Sequence, residues 1–371
     1  MPSAVVPPQP GIIKNTDHIK QTAVNTGVDL TAEHLVDNLE AALLEAGSDR
    51  PQLDRRNVPT ELLGRASNWR LVRYTLIDWV WIGIFWAGMT MSPAWLYPLW
   101  AILVAGRIHS FGVILHDACH QSVRKKTLPM RLIEVFAGYP MASTLNAMRY
   151  HHIRHHRDSG MPEDPYFKPS VAGNPLMFVL IWLRHLLLIP FWMIRGFYGS
   201  IAYFVPSMRN GYAKAFLQEK SSEDLTHQRE LIDCTQAEFG QALIHTGLLV
   251  FTVMHPGTAL FYYFIPALVA AMLAGHRVLI EHNYEANADR KMETIIRTTV
   301  DHNLGPIGRL FFAPRNIGYH IVHHLHPQVA LENLPRLRQW YIDNYPDLYP
   351  GPYNSKLTVP NHPAGNQGGQ R

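Results

Sequence analysis

Cysteine is nearly absent. The 371 residues contain two, Cys119 and Cys234, and neither lies in a Cys-x-x-Cys pair. That excludes a disulfide framework, a zinc ribbon, a thioredoxin motif and an iron–sulfur ligand set. Cys119, lying between two histidines, reads as a small core residue. Charge is also sparse: 17% of residues are Asp, Glu, Lys or Arg, and the net charge is only +4. The cations form no concentrated patch, so no nucleic-acid partner is expected. A secretory leader pattern is lacking too. Met1 to Gly11 is proline-rich, with no basic region ahead of an apolar one. Membrane insertion would then rest on internal segments.

Histidine is what the chain has in excess, with 21 residues. Three clusters stand out: His116-Asp-Ala-Cys-His120, His151-His152-Ile-Arg-His155-His156 and His320-Ile-Val-His323-His324. Neutral imidazole is the commonest metal ligand, and it suits iron, zinc, copper and nickel. These are too many imidazoles for one mononuclear site. They point to a two-metal site assembled from distant parts of the chain. On a helix, positions i, i+3 and i+4 share a face. His116 and His120 are therefore neighbours, as are His152, His155 and His156, and His320, His323 and His324. His151 and His155 are also four apart, so geometry leaves both His151 and His152 open as ligands.

Residues 1–69 read as a polar, cytosolic N-terminal region with a disordered, proline-rich start. Within it, Thr31 to Ala46 has the spacing of an amphipathic surface helix ending at Gly47. Residues 346–371 form a tail. Between them lie four apolar segments: Leu76 to Met91, Ala94 to Leu115, Phe239 to Met254 and Gly257 to Leu273. A spanning helix needs about 20 apolar residues, in a range of roughly 17 to 25, and two of these segments are short. They pair through tight connections, Met91-Ser-Pro-Ala and His255-Pro-Gly. The fold class expected is an all-α integral membrane protein with four transmembrane helices in two hairpins. A cytosolic helical cap would hold the histidine-rich di-metal site. Nine Trp, sixteen Tyr and fifteen Phe suit aromatic belts at the interfaces.

Flanking charge sets the expected orientation. Arg124, Lys125 and Lys126 follow the second span; Arg277, Arg290, Lys291 and Arg297 follow the fourth; the hairpin tips carry no Lys or Arg. The positive-inside rule puts the termini and all three clusters in the cytoplasm. Asn174 to Pro206 is apolar but broken by Arg184, His185 and Arg195. It reads as helices in the interface plane, because a span there would bury Arg184. Gly211 to Ala237 is charged and reads as cytosolic. If the second helix leaves the hydrocarbon near Gly106, His116 lies ~14 Å beyond the boundary at 1.5 Å per residue. The weight of arginine over lysine suggests a GC-rich bacterial genome, and with it a bacterial inner membrane.

The three clusters, their order and their placement after paired spans resemble the membrane fatty acid desaturase family. The first resembles the family's His-x3-His or His-x4-His box. Arg149-Tyr-His-His152-Ile-Arg-His155-His156 resembles the second. Asn316-Ile-Gly-Tyr-His320-Ile-Val-His323-His324-Leu-His-Pro327 resembles the third, and Asn333-Leu-Pro-Arg-Leu the stretch after it. The resemblance covers about residues 70 to 345, a desaturase-like membrane domain. It favours His152 over His151. It also adds a ligand from beyond the fourth span, His282 in Glu281-His282-Asn283, with His276 as runner-up. The implied ligand set is His116, His120, His152, His155, His156, His282, His320, His323 and His324. The implied cofactor is two Fe ions in a non-haem di-iron centre, with O2 as co-substrate.

The activity implied is O2-dependent insertion of a double bond into a lipid acyl chain. The implied electron donor is a separate protein, a ferredoxin or a cytochrome b5-like protein with its reductase. His255-Pro-Gly resembles a cytochrome b5 haem motif only superficially, since it sits at a hairpin tip. A hydroxylase or ketolase on the same scaffold, acting on a carotenoid or a small amphiphile, is the close alternative. A metal transporter would keep its ionisable groups near the midplane of the spans. A zinc hydrolase would need about three protein ligands. Both fit the clusters worse. Asp117, Asp158, Glu281, Glu285 and Asp301 are candidate partners for the second nitrogens of the ligands. His302 and His326 flank the region. His18, His34, His185, His227, His245 and His255 read as structural.

Overall fold

The computed structural model describes residues 57–121, 125–302, 305–345 and 349. The expected surface helix at Thr31–Ala46, Arg124 of the flanking charge and nearly all of the tail lie outside the described residues. Among the described residues the protein is helical, and its only β feature is an isolated bridge between His282 and Thr299.

Helices α1 (Asn68–Met91) and α2 (Tyr97–Cys119) pack against each other as the first hairpin. Pro98 in the first turn of α2 suits a position whose N–H has no helical partner. The C-terminal half of α2 is buried almost throughout, from Val104 to Cys119. A short helix, α3 (Leu128–Ile133), runs into a π turn and leads to α4 (Leu145–Asp158). Thr144 caps α4 by accepting the Ala147 N–H at 3.1 Å, and Gly160 in a left-handed conformation (φ 77°) ends it. Next come α5 (Pro175–Arg184), α6 (Leu188–Phe204) and α7 (Arg209–Phe216). The second long pair is α8 (Arg229–Met254) and α10 (Ile265–Ile280), linked through α9 (Pro256–Ala259) and a π turn. Four short helices complete the described chain: α11 (Met292–Thr298), α12 (Gly305–Phe311), α13 (His320–Leu325) and α14 (Leu334–Asn344).

Among the described residues, four stretches are long and apolar enough to cross a membrane: Ala94–Cys119, Pro175–Phe204, Arg229–Met254 and Pro256–Ile280. Three of them contain expected spans. The fourth, Pro175–Phe204, is the stretch that the sequence reads as interfacial; its length and composition suit a span as well, while α1 falls short by composition. The reason lies in where the charges go. Arg195 withdraws into the protein and pairs with Glu238 at 2.9 Å, both fully buried, which leaves Leu, Ile and Phe on the outer surface of α5–α6. Helix α1 carries Arg70, Arg73 and Asp78, and its tryptophans lower its mean hydropathy although Val80, Trp81 and Ile84 are exposed apolar surface. The second hairpin is splayed: α10 packs on α2, and α8 packs on α6. An apolar cavity of about 290 Å³ opens where α1, α2 and α8 meet the π turn, lined by Trp79, Trp86, Phe111, Leu248, Phe251 and Tyr262.

Candidate metal centre

The clusters come together. His116, on the last turn of α2, and His120, its C-cap, meet His152 and His156 of α4 and His323 of α13. In this first group one nitrogen from each of the five rings lies within 4.8 Å of the others. A second group, with the same spread, holds His155 of α4, His282, and His320 and His324 of α13. The two groups adjoin, with the His156 and His324 ring centroids 4.3 Å apart. The nine residues brought together are those implied from sequence. His151 stands apart, hydrogen-bonded through Nδ1 to the Tyr166 hydroxyl at 2.6 Å. His276 belongs to neither group; its ring packs against Phe178, Trp182 and Phe312.

Local structure explains the convergence. The i, i+3, i+4 spacing places His152, His155 and His156 on one side of α4, and the step from His155 to its neighbours divides them between the groups. His282 follows the end of α10. The chain there is pinned by Val300 N–H donating to the Glu281 carbonyl at 2.9 Å and Asn283 N–H donating to the Thr298 carbonyl at 3.1 Å. Helix α13 is seated by Asp301, whose Oδ1 accepts the Ile321 N–H and whose Oδ2 accepts from Arg338 and Tyr349, each at 2.8 Å. α4 is rich in His and Arg, yet all four of its histidines are buried. Apolar area alone does not account for burying such a helix.

The donor set fits metal ions. Nε2 atoms face one another at 3.1 Å for His120 and His152, 3.0 Å for His152 and His156, and 3.1 Å for His156 and His323. Those of His282 approach His324 at 3.4 Å and His320 at 3.3 Å. Two neutral imidazoles can share one proton, but a converging set of lone pairs calls for a cation. His155 makes the case plainest. Its Nδ1–H donates to Asp164 at 2.8 Å, which leaves Nε2 to face the cluster, and that atom is buried without a hydrogen-bond partner. Burial keeps most of the clustered rings neutral, with the like charge of neighbouring rings adding to it for several. His120 and His282 are pushed down to about 3, and His152, His156, His320, His323 and His324 lie well below the usual histidine value. Neutral rings are the form that ligates.

The carboxylate partners differ in part from expectation. Glu281 lies 3.8 Å from His320 Nδ1 and is held by Arg277 at 2.6 Å; burial raises it to about 7. Asp301 supports the α13 backbone rather than an imidazole. Asp158 pairs with Arg157 and Glu285 with Arg297. Asp117 is buried and takes a backbone hydrogen bond from Leu331. The partner missed from sequence is Asp164. It also accepts the Gly160 and Tyr166 N–H groups at 2.9 and 2.8 Å; against the cost of burial, His155 first and then these two donors hold it charged. Tyr166 was missed as well; its ring stacks on His155 at 4.4 Å. His302 is buried beside Phe312 and does not join either group, and His326 Nε2 is hydrogen-bonded to the Tyr341 hydroxyl at 2.6 Å.

Comparison with known proteins adds two findings. The family model described as fatty acid desaturase matches residues 93–356, well over half of the chain and all nine clustered histidines. Among curated proteins, the chloroplastic omega-6 fatty acid desaturase of Glycine max is 24% identical over 183 residues, 47% of this chain and 40% of that protein. The match therefore spans less than half the length of that relative.

Proposed function

The chain belongs to the fatty acid desaturase family, and from that premise we propose that it is an O2-dependent oxidoreductase that introduces a double bond into a lipid acyl chain. The observation that carries this reading is the pair of adjoining groups, five and four imidazoles, at the end of apolar helices. We assign His116, His120, His152, His156 and His323 to one iron, and His155, His282, His320 and His324 to the other. Bound there, iron supplies the O2 chemistry that removes hydrogen from an unactivated C–H bond.

The chain's own residues do the rest. Asp164 holds the His155 proton on Nδ1 and so keeps Nε2 free to ligate. Glu281, tied to Arg277, sits beside His320 Nδ1. Burial of the rings keeps water from the centre, and the apolar cavity beside α2 offers room for a hydrocarbon chain. Forming one C=C bond takes two hydrogens from the substrate. Reducing O2 to two waters needs a further two electrons and two protons, which we assign to a separate donor protein. Lys125, Lys126, Arg290 and Lys291 lie on the metal-centre side, whereas the tips at Ser92 and Pro256 carry no Lys or Arg. This supports a cytoplasmic centre in a bacterial inner membrane.

The test is mass spectrometry of the lipids of a host expressing the full chain. Products lacking two hydrogens are expected; products gaining one oxygen would make the protein a hydroxylase. His152→Ala should abolish the product and His151→Ala should retain some of it. Purified protein holding one zinc and no iron would overturn the assignment.

A further inference from the structure

Asp78, in the middle of α1, is fully buried. Both of its oxygens are taken. Oδ1 pairs with Arg107 at 3.2 Å, and Oδ2 accepts from Ser110 at 2.7 Å and from Arg315 at 2.6 Å. Arg107 and Ser110 belong to α2, the helix that ends in His116 and His120. Arg315 stands five residues before His320, where the third box begins. One carboxylate thus touches the supports of two boxes and no ligand of either.

The Arg315 backbone is the second observation. It is left-handed, at φ 56° and ψ 36°, and Asn316 follows at φ 66°. Asn tolerates that region; Arg has no local reason to adopt it. Two such residues in a row persist only where the surroundings over-determine them. Here the surroundings are the hub around Asp78. Arg315 Nη2 also donates to the Tyr74 carbonyl at 3.1 Å, its Nε donates to Ser110 Oγ at 2.9 Å, and its guanidinium lies 4.3 Å over the Tyr74 ring. The preceding residues are tied to α2 as well. Arg107 donates to the Leu310 carbonyl, and His109 Nδ1 meets the Phe311 carbonyl at 3.0 Å. Gly106 leaves the space that Phe311 fills, since a Cβ there would come within 2.6 Å of that ring. After the reversal α13 sets out, and His323 arrives with its ring centroid 4.7 Å from that of His116 and 5.0 Å from that of His120.

We propose that Asp78 is a positioning residue for the metal centre, fixing the third histidine box against the first by clamping Arg315 onto α2. The proposal rests on the reading of the two imidazole groups as metal sites. The geometric half of it, that Asp78 holds residues 317–326 in place, is testable without metal.

The experiment uses the full chain in nanodiscs, as wild type, Asp78→Asn, Arg315→Ala and Arg315→Lys. Iron per chain is measured at a fixed concentration of free ferrous iron. Hydrogen–deuterium exchange is measured on the metal-free proteins. Asp78→Asn and Arg315→Ala should weaken iron retention by about tenfold, the scale seen when a ligand's support is removed. They should speed exchange over residues 317–326 and leave α8 protected. Arg315→Lys should recover part of both. Wild-type exchange over 317–326 in both variants would overturn the proposal, whatever the iron content. A wild-type chain that takes no iron would overturn the metal-centre reading, and the exchange comparison would still decide the role of Asp78. Should Asp78→Asn also open α8, Ser110→Ala, which removes one hydrogen bond and no charge, is read for the same two outcomes.

Discussion

His155 faces the imidazole cluster with one nitrogen and Asp164 with the other. Asp164→Asn keeps the size and a hydrogen bond but removes the charge that sets the tautomer. Iron affinity or activity should fall by about 10- to 100-fold, measured by ferrous titration with a competing chelator. Unchanged affinity would mean the ring is held by its packing on Tyr166 alone. Asp164 was not legible because it lies in Gly160-Met-Pro-Glu-Asp-Pro, a turn-rich stretch. Only the return of that loop beneath α4 brings it to the ring. The box residues were legible because helical spacing alone makes them neighbours. Spacing could not choose His152 over His151, and the deciding contact, Tyr166 on His151, is a loop contact. His302 offers a separate test by pH. Burial pushes it down to about 3, below the unfolded value of about 6.5. The unfolded chain therefore takes up this proton first as the pH falls. Its share of stability is whole above about pH 6.5 and erodes from there toward about 3. His302→Gln should lower the slope of unfolding free energy against pH by about one proton near pH 5, as read by denaturant unfolding in detergent.

The helices were legible in outline, and their charges were not. Apolar runs located α2 and α8 to within a few residues at the hairpin tips, and α10 together with α9 and the π turn before it. Of the two arginines that argue in sequence against a span at Pro175–Phe204, one, Arg184, stays exposed, and the other is Arg195. In the structure it pairs with Glu238, lies near Gln241, and donates to the Ala142 carbonyl at 3.0 Å. Ala142 is left-handed, at φ 51°, three residues before α4 starts. The arrangement parallels that of Asp78 and Arg315. In each case an Arg–carboxylate pair with a buried carboxylate, formed with a helix of the membrane region, fixes a left-handed residue upstream of a histidine box. Sequence cannot show this, because the partners are 43 and 237 residues apart. Breaking such a pair leaves a charge buried without compensation. Glu238→Gln should therefore cost about 3–5 kcal/mol, read from denaturant unfolding of the full chain in detergent. Tyr212, whose hydroxyl donates to Glu238 at 2.6 Å, softens the loss only in part, since Tyr212 carries no charge. A loss under about 1 kcal/mol would mean that water reaches Arg195 once the carboxylate is gone.

At the scale of the molecule, four separate stretches of chain meet at one place, and each brings its own protein anchor. The apolar helices give the assembly a frame that needs no metal: α1, α2 and α10 share a core of Ile82, Val104, Phe111, Ile114 and Ala270. The cap is different. α4 is polar, and α13 is only His320–Leu325 in length, too short to be stable by itself. Their clustered histidines are buried, with ring nitrogens aimed at one another. Metal removal should therefore act unevenly. Chelation of the iron should speed hydrogen exchange in the C-terminal turn of α4, around His282 and through α13, while α2 above Gly112 and α8 keep their protection. A ligand that binds only the folded state at about 1,000 times its Kd contributes about 4 kcal/mol, so the melting temperature of the cap should fall and return on adding ferrous iron. Uniform loosening across the spans would show that the frame itself depends on the metal. No change anywhere would show that Asp164, Asp301 and Asp78 preform the site, and that the nine imidazoles wait in place for the ions.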